Sequence, residues 1–264
     1  MMKIENIGVV FNPGTPDENR ALRDVSLDVN RGDFVTVIGS NGAGKTTLYN
    51  IIAGTYAPTE GKISIRDIDV TKSPEFRRAR YIGRIFQNPL LGTAGKMSLE
   101  DNMVICHKKG YKGLSISLNN KLREYFRERL RELDMGLENR LKDNVEQFSG
   151  GQRQALTLLM AVLSEPDILL LDEHTAALDP RNAEIVMNLT RSFAERYNLT
   201  VMMITHNMGH AIEYGNRLLM MDSGEIVLDI GAQEKSRLTI DQIVQRFRDI
   251  KKKELANDQL LLHV

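Results

Sequence analysis

The sequence holds a single cysteine, Cys106, so no disulfide can form within the chain. Such a residue is expected as a small buried hydrophobe in a reducing compartment. There is no surplus of either charge, since 35 Lys and Arg stand against 35 Asp and Glu. Proteins that grip nucleic acid by its phosphates carry a basic excess, so nucleic acid is not expected as a partner. That balance leaves room for a local anion site. Nor does any apolar run approach the ~20 residues that cross a bilayer. The longest, such as Ile168 to Leu171, are strand-sized. The opening Met1–Asn6 has no apolar stretch of the kind a cleaved secretory leader requires. Work at a membrane would therefore go through another polypeptide. Internal repeats and low-complexity segments are also missing.

What remains is an ordinary globular composition, 42% hydrophobic and 27% charged over 264 residues. It suits one α/β domain, alone or with an inserted subdomain. Residues 3–11 and 21–29 read as strands, the second with Val25, Leu27 and Val29 alternating against Ser26 and Asp28. A turn-rich stretch, Asn12 to Asn19, separates them. Phe34–Ile38 is β-branched and stops at Gly39, and Thr46–Ala53 then reads as a helix ending at Gly54. Residues 61–68 give a further short strand.

Between Asn88 and Phe148 the pattern turns helical, clearest over 118–133, where Leu122, Phe126, Leu130 and Leu133 share one face. Beyond it, helices at 151–163 and 181–197 alternate with strands at 168–171 and 200–205. Strands follow at 217–221 and 225–228, about a turn at Asp222–Gly224. Alternation of this kind implies a mainly parallel sheet covered on both faces. The Lys251–Lys253 run reads as a solvated helix end.

Gly39-Ser40-Asn41-Gly42-Ala43-Gly44-Lys45-Thr46 fits G-x-x-x-x-G-K-[ST], with a strand before it and a helix after. Glycines let successive backbone N–H groups turn inward around a phosphate, and the following helix points its positive end at the same anion. Lys45 adds a point charge for the β- and γ-phosphates, and the Thr46 hydroxyl is a hard oxygen ligand for Mg²⁺. The strand Ile168–Leu171 ends in Asp172-Glu173. Ligands collect at the carboxyl ends of such strands, which places Asp172 over the metal and Glu173 beside an attacking water. These features describe a P-loop nucleotide hydrolase without choosing among the many kinds.

The choice comes from Phe148-Ser149-Gly150-Gly151-Gln152-Arg153-Gln154, at the head of a helix with Ser149 as its natural cap and two glycines baring backbone N–H groups. This segment closely resembles the signature sequence of ABC (ATP-binding cassette) transporter ATPases, and other landmarks of that family follow in order. Gln87 in Ile85-Phe86-Gln87-Asn88-Pro89 is similar to the family's Q-loop glutamine, a further metal neighbour. Asp179 in Ala177-Leu178-Asp179 resembles the D-loop, His206 the switch histidine, and Phe11 the aromatic that stacks on adenine. The resemblance spans roughly 3–228 and departs at two positions. Phe148 stands where leucine is usual, and His174 stands where proline usually follows the catalytic glutamate. His174 is either a simple exchange in a turn or a group that tunes protonation.

The resemblance implies a P-loop (RecA-like) α/β core with a mainly parallel sheet, an N-terminal antiparallel β subdomain and an inserted helical subdomain. Its expected divisions are a core at 1–87 and 156–235, a helical and signature part at 88–155 and a helical tail at 236–264. It implies ATP and Mg²⁺ as ligands and a head-to-tail homodimer. ATP held by Gly39–Thr47 of one copy, Thr47 included, would be completed by Ser149, Gly151 and Gln152 of the other, near Asp179. Permease subunits in the membrane, an extracytoplasmic solute-binding protein reached through them, and a place on the cytoplasmic face complete that picture. The string 172–180 resembles bacterial importers of amino acids, aromatic ones in particular. A non-transport ABC ATPase of the iron–sulfur assembly type would also be a single short cassette.

Overall fold

The structure is a computed structural model and describes residues 1–88, 90–107 and 118–249. The N-terminal sheet is antiparallel, built from β1 (Met2–Phe11), β2 (Asn19–Val29), β4 (Glu60–Ile65) and the two-residue β5 (Ile68–Asp69) in the order β2-β1-β4-β5. Met2 faces both Val29 and Ile65 across the pairs, and Ile4 faces Leu27 and Ile63. All six side chains are buried on one face of the sheet, as a period of two requires.

The second sheet contains β3 (Phe34–Gly39), β6 (Ile82–Ile85), β7 (Ile168–Asp172), β8 (Thr200–Ile204), β9 (Arg217–Asp222) and β10 (Glu225–Ile230). Its order is β10-β9-β3-β8-β7-β6, parallel throughout except for the β9–β10 hairpin. The four apolar residues that open β7 are unbroken because both of its faces are covered. Ile168 and Leu170 join one core with α1 (Lys45–Ala53) and the antiparallel sheet. Leu169 and Leu171 join another with α3 (Leu99–His107), α4 (Asn120–Arg131), α5 (Gly150–Leu163) and α6 (Pro180–Arg196). Short helices α2 (Glu75–Arg78), α7 (Met208–Glu213) and α8 (Ala232–Lys235) fill the connections.

Helix α4 follows the sequence reading closely. The Asn119 side chain caps it by accepting from the Leu122 backbone N–H at 2.9 Å. Phe126 and Leu130 are fully buried, each stabilising the insertion by about 1.5–3 kcal/mol. Cys106 is half-buried and packs on the same core. In the expected tail, residues 240–249 are helical. Lys251–Lys253 lie outside the described residues.

Two buried cations tie the fold around the sheet. Arg78 donates to the carbonyls of Ile51 and Ile52 at the end of α1 and to those of Thr71 and Ser73. Its guanidinium thereby caps the orphan carbonyls of the helix that follows the phosphate loop. Lys235 donates to Thr36 Oγ1 and to the carbonyls of Tyr214 and Gly215, and burial pushes its pKa down to about 8. Replacing it by methionine leaves buried carbonyls without a donor, at about 1–3 kcal/mol each. Lys235→Met should therefore lower the melting temperature by at least about 4 °C. An unchanged thermal melt would show the ammonium to be dispensable.

Candidate nucleotide site

The carboxyl ends of β3, β8 and β7 lie side by side, with Ile204 paired to both Val37 and Asp172. From these three ends come Gly39, Thr205-His206 and Asp172-Glu173. The loop leaving β3 returns as α1 through Gly44, whose φ of 95° no bulky residue adopts easily. A Cβ on Gly44 would stand 2.8 Å from the Ala21 carbonyl oxygen. No side chain caps α1 at Gly44, so its first N–H groups remain available to an anion.

Lys45 folds back over the loop and donates to the Gly39 and Ser40 carbonyls, each at 2.8 Å. Burial lowers its pKa, while Glu173 and Asp172 oppose the shift. The β9–β10 turn braces the loop from the other side. Ser40 Oγ meets Asp222 Oδ1 at 3.1 Å, and the Gly224 N–H donates to the Ala43 carbonyl at 3.2 Å.

A cavity of about 460 Å³ opens above the loop, lined by Phe11, Asn41 to Thr47, Glu173, His206, Ser223 and Gly224. Phe11 stands at the end of β1 with its ring edge-on to Tyr56, the centroids 5.8 Å apart. Arg20 and Arg23 of β2 also line this cavity. Sequence reasoning passed over both, although two cations in a strand beside a phosphate loop are a readable cue.

A neighbouring cavity is lined by Thr46, Arg84, Gln87 and Asp172. The three residues expected around a metal thus converge on one opening, and all offer hard oxygen donors suited to Mg²⁺. Burial raises the Asp172 pKa, while Arg84, with its Nη2 3.8 Å away, pulls it down. Glu173 sits at φ 48°, a left-handed backbone seldom taken by a residue with a side chain. His206 Nε2 lies 2.6 Å from Glu173 Oε1. His174 is buried beside them with Nε2 3.1 Å from Thr190 Oγ1. Burial drives its pKa down to about 3, helped by nearby His210, so the ring is neutral at physiological pH.

Six expected site residues line neither cavity: Gly39 and Ser40, whose carbonyls hold Lys45, and Ser149, Gly151, Gln152 and Asp179 at the heads of α5 and α6. Ser149 caps α5 in a reciprocal box with Gln152, at 3.2 Å and 3.1 Å. Asp179 caps α6 by accepting from the Asn182 N–H and side-chain amide. Ser149 and Gly150 are exposed, but Gly151 is buried against Asn182, where a Cβ would come within 2.6 Å. Gly151 lets α5 lie close against the head of α6.

A phosphate loop, two carboxylates at the end of β7 and a signature helix with no phosphate loop of its own define an ATP-hydrolysing cassette. The chain belongs to the ABC transporter family, whose sequence model matches residues 22–176. It is 39% identical to the tyrosine transport ATP-binding protein of Clostridioides difficile (strain R20291), over 94% of this chain and 98% of that protein. The methionine import ATP-binding protein MetN 1 of Bacillus thuringiensis subsp. konkukian (strain 97-27) is 33% identical, over 90% of this chain and 70% of its own. Among solved structures, the dimeric bacterial ABC transporter cassette MJ0796 superposes with a TM-score of 0.74 at 27% identity, covering 88% of this chain and 99% of its own. The ADP form of the cassette MJ1267 gives 0.75 at 26% identity, covering 94% and 98%. The chain binds and hydrolyses ATP to power transport. Among the described residues, no helix is long and apolar enough to cross a membrane.

Proposed function

We propose that this chain is the ATPase of a bacterial importer that takes up an amino acid, aromatic amino acids being the favoured class. It would act as a homodimer on the cytoplasmic face of permease subunits that receive cargo from an extracytoplasmic binding protein. The 39% identity with a tyrosine transport ATP-binding protein supports the cargo class. The core is assigned to 1–87 and 156–235, the helical part to 88–155 and the tail to 236–264.

In this reading Phe11 stacks on adenine, and Gly39, Ser40, Asn41, Gly42, Ala43, Gly44 and Thr47 wrap the phosphates with their backbone. Lys45 exchanges its two loop carbonyls for the β- and γ-phosphate oxygens. Thr46, Gln87 and Asp172 would hold Mg²⁺, which supplies positive charge against the charge that builds on the phosphates. Glu173 polarises the attacking water, and His206 orients the carboxylate and senses the γ-phosphate. Ser149, Gly151 and Gln152 complete the site of the second copy, with Asp179 at the same seam.

The observation that carries this reading is the convergence of the loop, the Glu173–His206 pair and the Thr46–Gln87–Asp172 donor set on the ends of four neighbouring strands, β3, β8, β7 and β6. Lys45→Ala tests it, since Lys45 is the cation that the motif itself sets on the phosphates. Its ATPase rate should fall at least about 100-fold, in line with loss of one preorganised transition-state donor. A Lys45→Ala protein hydrolysing ATP at the wild-type rate would remove the loop from the mechanism.

A further inference from the structure

Nothing in the family pattern gives His174 a task, yet its surroundings are specific. It follows Glu173 directly, whose left-handed backbone donates its N–H to the Ile204 carbonyl at 3.2 Å and accepts at its carbonyl from the Ala176 N–H at 2.9 Å. His174 is 2% exposed and Thr190 is 1% exposed. The Thr190 hydroxyl donates its one proton to the Val186 carbonyl at 2.8 Å. With the hydroxyl proton on the Val186 carbonyl, the Thr190 oxygen accepts at the 3.1 Å contact from the Nε2–H tautomer of His174. In that tautomer the chain His174–Thr190–Val186 runs from the loop into the body of α6. The same helix begins at Asp179, whose cap closes the other end of the segment.

We propose that His174 is a positioning residue for Glu173, anchoring the segment 173–179 to α6 by a hydrogen bond where the family pattern has proline. The proposal rests on Glu173 being the group that polarises water. Proline would stiffen that turn through its ring. Here a buried hydrogen bond takes over, and it ties the carboxylate to the helix whose first residues meet the signature helix through Asn182 and Gly151. A cavity of about 240 Å³ lies beyond the Glu173–His206 pair, lined among others by His174, Met187, Met203 and His210. Glu173 therefore has space behind it into which an untethered loop can relax.

The test compares steady-state ATPase kinetics and thermal melts of the full-length chain. The variants are His174→Leu, His174→Gln, Thr190→Val, the His174→Leu/Thr190→Val double and Glu173→Gln. Leucine removes the donor, but Thr190 still donates to Val186, so no buried proton is stranded. His174→Leu should lower kcat roughly tenfold, with KM for ATP changed by less than about twofold, because position and not binding is lost. Glutamine reaches as far as Nε2 with an N–H and should recover most of the rate. Thr190→Val should match His174→Leu, and the double variant should be no slower than either single one.

Wild-type kcat in His174→Leu, a loss that glutamine does not rescue, or additive losses in the double variant would each overturn the tether. If Glu173→Gln abolishes hydrolysis while His174→Leu is unaffected, the tether alone fails. If Glu173→Gln hydrolyses normally, the role given to Glu173 fails and the tether with it.

Discussion

Glu173→Gln is expected to lower the ATPase rate by ~10²–10⁴, the usual range for removing a general base. Glutamine keeps the shape and the hydrogen-bond reach toward His206, now 2.6 Å from the carboxylate, and deletes only the charge. ATP and Mg²⁺ should still bind. If ATP closes two copies and hydrolysis parts them, the slow variant should accumulate as an ATP-bound dimer, whereas the wild type cycles back to monomer. Asp172→Asn should behave differently. That carboxylate shares its cavity with Thr46 and Gln87, so its loss should weaken the metal and with it the closed dimer. Size-exclusion chromatography with light scattering, with and without Mg-ATP, separates these cases. A Glu173→Gln protein that hydrolyses normally would exclude Glu173 as the base.

Ser149→Arg should be as damaging to turnover and nearly silent for binding. Ser149 is exposed at the head of α5 and lines neither cavity of its own subunit. Its loss removes a helix cap worth about 1 kcal/mol, too little to unfold a chain with cores of this size. An arginine there would meet the second copy where the γ-phosphate is to be enclosed. Nucleotide titration should give nearly the wild-type affinity per monomer while ATPase activity disappears. Loss of monomer binding would instead place Ser149 in its own site or in folding.

Much of this was legible because it is local. Gly39–Thr46 is contiguous, so its chemistry does not depend on the rest of the chain being placed correctly. The β7 run was readable for a different reason, since a strand covered on both faces cannot alternate. Strand β6 was harder, being four residues long with Gly83 inside it. Its strand character comes from pairing with β7, some 85 residues away. Long range also hid Arg78, which looks like one of several surface arginines near Phe76 until α1 packs over it.

His174 was read as either a turn exchange or a proton-tuning group. Burial pushes its pKa well down, and the contact with Thr190, 16 residues on, is a long-range partner that the local sequence does not show. At Gly151 the missing side chain admits Asn182 of α6, a long-range contact that the local signature pattern does not show.

The central claim is that each ATP lies between the phosphate loop of one copy and the signature helix of another. The most direct measurement mixes two inactive proteins, Lys45→Ala and Ser149→Arg, at high concentration with saturating Mg-ATP. A mixed dimer contains one site with both defects and one with neither. Random pairing of equal amounts puts about a quarter of all sites in that intact state, so activity should return to as much as about a quarter of the wild-type rate. A mixture as inactive as its two components would contradict the shared site.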